Sequence, residues 1–151
     1  MRQIDLIAKP LLVENGFKLN NTTWYRTTGE IIQLVNFQHS SWSNLYYLNT
    51  AIDFCDKSLK ELGRVLPKEY HCPIRWRSEH VSETKQYVYA LDFEKDIPEE
   101  TRTSAIIALL GYWISYFEGL KTQISVIEKI KDGTFNRNEI YYSFLKEHNL
   151  L

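Results

Sequence analysis

Arg75 and Arg77 stand on either side of Trp76. Alternate residues of an extended chain point the same way, so both guanidinium groups share one side of a short strand. Two planar donor forks placed like this suit a carboxylate or phosphate clamp; the plainer reading is a pair of exposed ion pairs with Glu79 or Asp92. Further polar residues interrupt stretches that otherwise read as core strands: Arg26, Gln33, Asn36, Gln38 and Asn49. A period of two puts Asn36 and Gln38 side by side on one face, with Arg26 on the neighbouring hairpin strand. Such a patch offers amide donors and acceptors to a peptide edge or an anion. Alternatively it is the solvated face of a half-buried sheet, or its amides satisfy loop backbone.

Other chemistries find less support. Cys55, His71, Cys72 and His80 are metal-ligand types, but the close pair, His71-Cys72, consists of adjacent residues whose side chains diverge in extended chain, so no metal is expected. The same divergence makes a Cys–His nucleophile a poor reading. No serine elbow, phosphate-binding glycine loop, dinucleotide fingerprint or His-Glu-x-x-His helix occurs. Glu99-Glu100 sit at an expected helix start, where the macrodipole favours acids without any catalytic role. No cofactor is implied.

The elements that must position these groups follow from hydrophobic period. Ile4, Ile7, Leu11 and Leu12 suit a short helix closed by Asn15-Gly16. Pro10 objects, so either the helix kinks or its regular part starts close to Pro10. From Phe17 to Phe93 the period becomes two. Strands are expected at 23–26 and 30–38, joined across Thr27-Thr28-Gly29, at 45–54, and at 86–93, where Tyr87, Tyr89, Leu91 and Phe93 alternate against polar or smaller residues. Between them come a short helix over 56–65 and a short irregular strand within 71–77 that starts at Pro73. Beyond Asp96 the helical period returns, with Ile106, Leu109, Leu110, Trp113, Ile114 and Phe117 as one stripe opened by Asp96 or Pro98. Gly119 and Thr122 end it. A second helix carries Ile124, Ile127 and Ile130 up to Asp132-Gly133. A third starts at Asn136 with Glu139 three residues on, then Ile140, Tyr141, Phe144 and Leu145. The order helix, strands, helices is that of an α+β domain with an antiparallel sheet.

Composition bounds the rest. The chain has 151 residues, 18 Lys+Arg against 19 Asp+Glu, 44% hydrophobic and 25% charged residues. A domain of this size buries roughly 70% of its unfolded surface, so two Cys need no structural task and disorder is excluded as the main content. A net charge of −1 argues against a nucleic-acid binder, which needs a basic excess. The apolar stretch 104–117 is about 14 residues, short of the ~20 that span a bilayer. Asp5 and Pro10 interrupt the apolar run a secretory leader needs. The expectation is therefore a cytoplasmic protein with reduced thiols and no membrane contact. Four Trp and ten Tyr are a surplus. Most suit a pleated core, but Trp42, in the polar turn Ser40-Ser41-Trp42-Ser43-Asn44, is the ring least explained by folding.

The run 16–50 carries Gly16-Phe17, Trp24-Tyr25-Arg26, Asn36-Phe37-Gln38-His39-Ser40 and Asn49. In these motifs the chain resembles the bacterial family called domain of unknown function 4304. Residues 71–77 look like that family's Arg-x-Arg region and 114–130 like its terminal helix pair, while Ser78-Glu79 replace its usual glycine. The resemblance implies a small bacterial cytoplasmic domain found in the company of toxin, immunity or defence proteins.

Together these readings predict one α+β domain over residues 1–151: a meander-like sheet of four or five antiparallel strands flanked by an N-terminal helix and C-terminal helices. The expected function is non-enzymatic binding, as an immunity or defence-associated factor that meets a protein partner, such as a toxin, through Arg26, Asn36, Gln38, Trp42, Asn49, Arg75 and Arg77. The alternative is a small-ligand or enzymatic domain with an anion pocket on the sheet. A concave convergence of the polar residues would favour the pocket, and a flat aromatic-rimmed face the partner.

Overall fold

The computed structural model describes residues 1–55 and 66–135, with Lys146 and Asn149 beyond. Helix α1 (Gln3–Glu14) leads into a five-stranded antiparallel sheet in the order β1 (Lys18–Asn20), β2 (Thr23–Thr27), β3 (Ile31–His39), β4 (Tyr46–Phe54) and β5 (Ile74–Arg77). Helices α2 (Glu99–Glu118) and α3 (Gln123–Lys131) follow. The helix expected over 56–65 and the one expected from Asn136 lie outside the described residues.

Helix α1 runs through Pro10 without ending. Pro10 and Leu6 are both on the solvent side, where water takes the carbonyl that proline's missing N–H leaves open. Its end follows from Gly16 at φ +87°. The Phe17 N–H reaches the Leu12 carbonyl at 2.9 Å and the Gly16 N–H that of Val13 at 3.0 Å, a Schellman closure that tucks Phe17 against the core.

Strand alternation sorts the sheet into two faces. The inner face presents Trp24, Val35, Phe37, Leu48, Ile52, Ile74 and Trp76, packed into one cluster with Ile4, Ala8 and Leu12 of α1 and the stripe Ile106, Leu109, Leu110, Trp113, Ile114 and Phe117 of α2. That stripe is the one the sequence period selects. The first turn of α2 carries Glu99 and Glu100, as the macrodipole favours. Thr122 and Ser125 cap α3 reciprocally, at 3.1 and 3.2 Å. The expected stripe of α3 needs one correction, since Ile124 is 69% exposed while Val126 and Ile130 are buried.

A larger correction concerns the strand expected over 86–93. Residues Lys85–Leu91 form a 3₁₀ helix, and this region meets the sheet through one isolated bridge, Leu45 to Asp92. The buried or half-buried set is Tyr87, Val88, Ala90 and Leu91, a helical spacing, whereas Tyr89, taken as inward by alternation, is 38% exposed. The Arg102 guanidinium collects the carbonyls of Ala90, Asp92 and Lys95 at 2.6 to 3.0 Å, satisfying backbone that strand pairing would otherwise claim.

Candidate functional site

The outer face of the sheet brings together five of the polar residues that the sequence singles out. Register aligns Thr23, Asn36, Asn49 and Arg77 in one row across β2 to β5, and Tyr25, Leu34, Ala51 and Arg75 in the next. Gln38 is two residues from Asn36, on the same side. The row is bonded through. Arg77 Nε donates to Asn49 Oδ1 at 3.0 Å and Nη2 to Gln38 Oε1 at 2.9 Å. Asn49 Nδ2 donates to Gln38 Oε1 at 2.9 Å and Asn36 Oδ1 at 3.4 Å, and Asn36 Nδ2 to Thr23 Oγ1 at 2.8 Å.

A guanidinium only donates, so Arg77 orients every amide in the row. Gln38 and Asn49 must turn their oxygens to it, which turns the Asn49 amino group to Asn36 and the Asn36 amino group to Thr23. Each of the three amide oxygens thereby accepts at least one bond within the row, which leaves Gln38 Nε2 and the further Arg77 N–H groups as its donors to a ligand. The floor is rich in donors.

Above it lies a cleft of about 810 Å³. Asn36, Gln38, Arg75 and Arg77 line its floor, the β1–β2 turn 20–23 one wall, and Leu66 with Lys68–Tyr70 the other. Arg75 Nε pairs with the buried Glu69 carboxylate at 2.8 Å, which ties the far wall to β5. Arg77 lies over the Tyr47 ring at 4.6 Å, and its ion pair with Glu79 is long, at 3.5 Å, so its charge is held mainly by neutral amides. Lys68 makes no salt bridge among the described residues; its ammonium is 5.7 Å from the Tyr70 ring centre. Beside the cleft, on the same face of the sheet, Ile32, Leu34, Ala51 and Cys72 form a small apolar cluster with Tyr25 and Cys55 packed against it. Burial, then the nearby Asp53 and Glu69 carboxylates, push the Cys72 thiol well above its ordinary range, so it stays protonated. Burial likewise raises the Tyr25 phenol, whose hydroxyl donates to the Pro67 carbonyl at 2.9 Å. Among the described residues no group of three or more His, Cys, Asp or Glu could hold a metal ion.

The remaining two candidates lie elsewhere. Arg26 shares the parity of Trp24 and points to the inner face, opposite Asn36 and Gln38. There its Nε donates to Gln33 Oε1 at 2.8 Å and its Nη1 to the Asn15 carbonyl and Glu118. Gln33 Nε2 in turn donates to the Phe117 and Leu120 carbonyls at 2.8 and 3.0 Å. The pair satisfies orphan carbonyls at the ends of α1 and α2, a structural duty. Trp42 is 95% exposed, yet its loop is fastened: Ser40 N–H to the Leu45 carbonyl at 2.8 Å, Asn44 N–H to Glu94 at 3.0 Å, and Phe93 N–H to the Asn44 carbonyl at 2.9 Å. Sequence reasoning missed Arg2, which α1 brings to the Phe37 and Thr22 carbonyls, and Lys68, Glu69 and Tyr70, whose place in the cleft depends on how residues before β5 return across the sheet.

The model of the family described as Domain of unknown function (DUF4304) matches residues 8–113. The chain belongs to this family. The match takes in all five strands and, among the cleft residues, every one except Arg2; the helix pair over 114–130 lies beyond it. Where this DUF4304 chain has Ser78, its hydroxyl accepts from Trp113 Nε1 at 2.9 Å and its carbonyl from the Thr84 hydroxyl at 2.6 Å, which anchors a 3₁₀ turn, Ser78–His80, at the end of β5. No curated protein and no solved structure matches the chain. Among the described residues no helix is long and apolar enough to cross a membrane.

Proposed function

We propose that this DUF4304 domain is a non-catalytic, cytoplasmic binding protein whose outer-face cleft receives the anionic group of a small ligand. The observation that carries the reading is the amide row polarised by Arg77: each amide oxygen already accepts within the row and the guanidinium only donates, which biases what it offers a ligand toward donors and positive charge. The cleft volume falls in the range of small-molecule sites. Binding rather than catalysis is supported by Cys72, which is fully buried outside the lining of the cleft with its thiol pushed toward the protonated form. Cysteines kept as thiols, such as the buried Cys72, suit a reducing compartment.

Inorganic phosphate is the probe, titrated in a thermal melt with ionic strength held constant by chloride. Saturable stabilisation is expected, approaching about 2.7 kcal/mol at 100 times the dissociation constant. Arg77→Met is expected to remove it, and to lower the unliganded midpoint through the loss of one donor to the buried Asn49, worth about 1–3 kcal/mol. If neither phosphate, sulfate nor citrate gives a saturable shift, the cleft reading fails.

The exposed Trp42 on a fastened loop favours a second reading, a protein contact of the immunity type. An exposed aromatic held by backbone bonds loses little entropy on docking, as interface anchors do. Trp42→Ala is expected to leave stability within about 0.5 kcal/mol of the parent and phosphate binding unchanged, while abolishing capture of a protein that the parent chain binds directly when both are purified. Equal binding by the two chains excludes the loop as the contact.

A further inference from the structure

The floor of the cleft accounts for an anion, but its volume is many times that of an inorganic one, and its far wall carries a feature the anion leaves unused. Tyr70 lines this wall and is 52% exposed. The ring meets that of His71 in an edge-to-face contact, with centroids 4.4 Å apart at 71°, which fixes its plane. The Lys68 ammonium stands 5.7 Å from its centre, so ring and cation are presented together. Across the cleft, the turn between β1 and β2 contributes the side-chain amides of Asn20 and Asn21, Asn21 being held at φ +57° in the left-handed region. Planar amides are the groups that pair with the edges of nucleobases, and an aromatic ring half exposed in a cleft is a surface on which a base can stack.

On these grounds, and resting on the reading of the cleft as an anion site, we infer that the ligand is a nucleoside phosphate. Its phosphate lies on the Arg77 and Gln38 donors with Lys68 beside it, and its base lies against Tyr70. A single nucleotide fits better than a strand. The chain as a whole carries a net charge of −1, which opposes the counterion-release binding that a nucleic-acid polymer needs.

Isothermal titration of the full chain with AMP, GMP, CMP, UMP, the matching nucleosides and inorganic phosphate tests this. At least one nucleoside monophosphate is expected to bind at least about fivefold tighter than phosphate, the gain that stacking of one base provides. Tyr70→Ala is expected to erase that gain and leave phosphate affinity unchanged, and Tyr70→Phe to retain it. Melting curves confirm that both variants fold, as the half-exposed position leads one to expect. The inference is overturned if no nucleotide exceeds phosphate, or if Tyr70→Ala weakens phosphate and nucleotide alike or weakens neither. In those outcomes the anion site survives. Failure of phosphate and nucleotides together removes the anion site as well.

Discussion

Trp113→Ala is expected to destabilise the domain by about 3–5 kcal/mol, the range for deleting a buried large aromatic. Trp113 is 1% exposed on α2 and sits among rings: Trp76 at 5.6 Å, Tyr116 at 5.9 Å and Phe117 at 6.0 Å between centroids. Those neighbours belong to the long helix and to β5, and a packed cluster of rings collapses poorly into a void. The indole N–H also donates to Ser78 Oγ, so truncation leaves a buried hydroxyl short of a donor. Against a typical total stability of about 5–15 kcal/mol, one such loss takes about a fifth of it or more. Trp113→Phe keeps most of the ring contact but not the hydrogen bond, and belongs between the two. Urea denaturation followed by circular dichroism measures both. A loss under about 1 kcal/mol for Trp113→Ala contradicts the cluster as the centre of the core.

The second large effect is expected at Arg26. Replacing it with Ala removes the donors to Gln33 and to the Asn15 carbonyl and breaks the contact with Glu118. Each orphaned buried acceptor costs about 1–3 kcal/mol, whereas the Glu118 pair adds little because that carboxylate is half exposed. The sum is about 3 kcal/mol. Phosphate affinity of the folded fraction is expected to stay unchanged, because Arg26 and the cleft lie on opposite faces of the sheet. Denaturation midpoints and titration below the melting range separate the two quantities. A stable Arg26→Ala chain with lost phosphate binding reverses the assignment of faces. Arg26→Lys keeps the charge but not the fork, so most of the stability loss is expected to remain.

Much of this arrangement is legible in the residues. Period two places Asn36 with Gln38 and Arg75 with Arg77 correctly, since alternation along a strand depends on local backbone geometry alone. Gly16 and Gly29 mark the end of α1 and the β2–β3 turn because both positions require a positive φ. The stripe of α2 and the break at Gly119 follow from helical period and from the same local rules. Arg26 was open to a better reading: it alternates with Tyr25 and shares the face of Trp24, so a buried Trp24 implies an inward Arg26. What hid this is that β3 carries apolar residues on both faces, Ile32 and Leu34 outward, Val35 and Phe37 inward, leaving no amphipathic contrast to say which side the helices cover. The alternation over 86–93 misled for a related reason. A short apolar run satisfies period two and period three almost equally, and the choice fell to Arg102, ten or more residues away, whose guanidinium claims the backbone carbonyls.

The amino-acid sequence by itself determined most of the elements, β1 and the 3₁₀ segment Lys85–Leu91 excepted, and which polar side chains travel together, because propensity, φ restrictions and alternation act over a few residues. Only the tertiary structure decided that Arg77 polarises a row of amides contributed by two neighbouring strands, and that Lys68 and Tyr70 close a wall over it. Hydrogen-bond direction across strands and the path of a returning segment are set by register and packing, which couple residues that lie tens of positions apart.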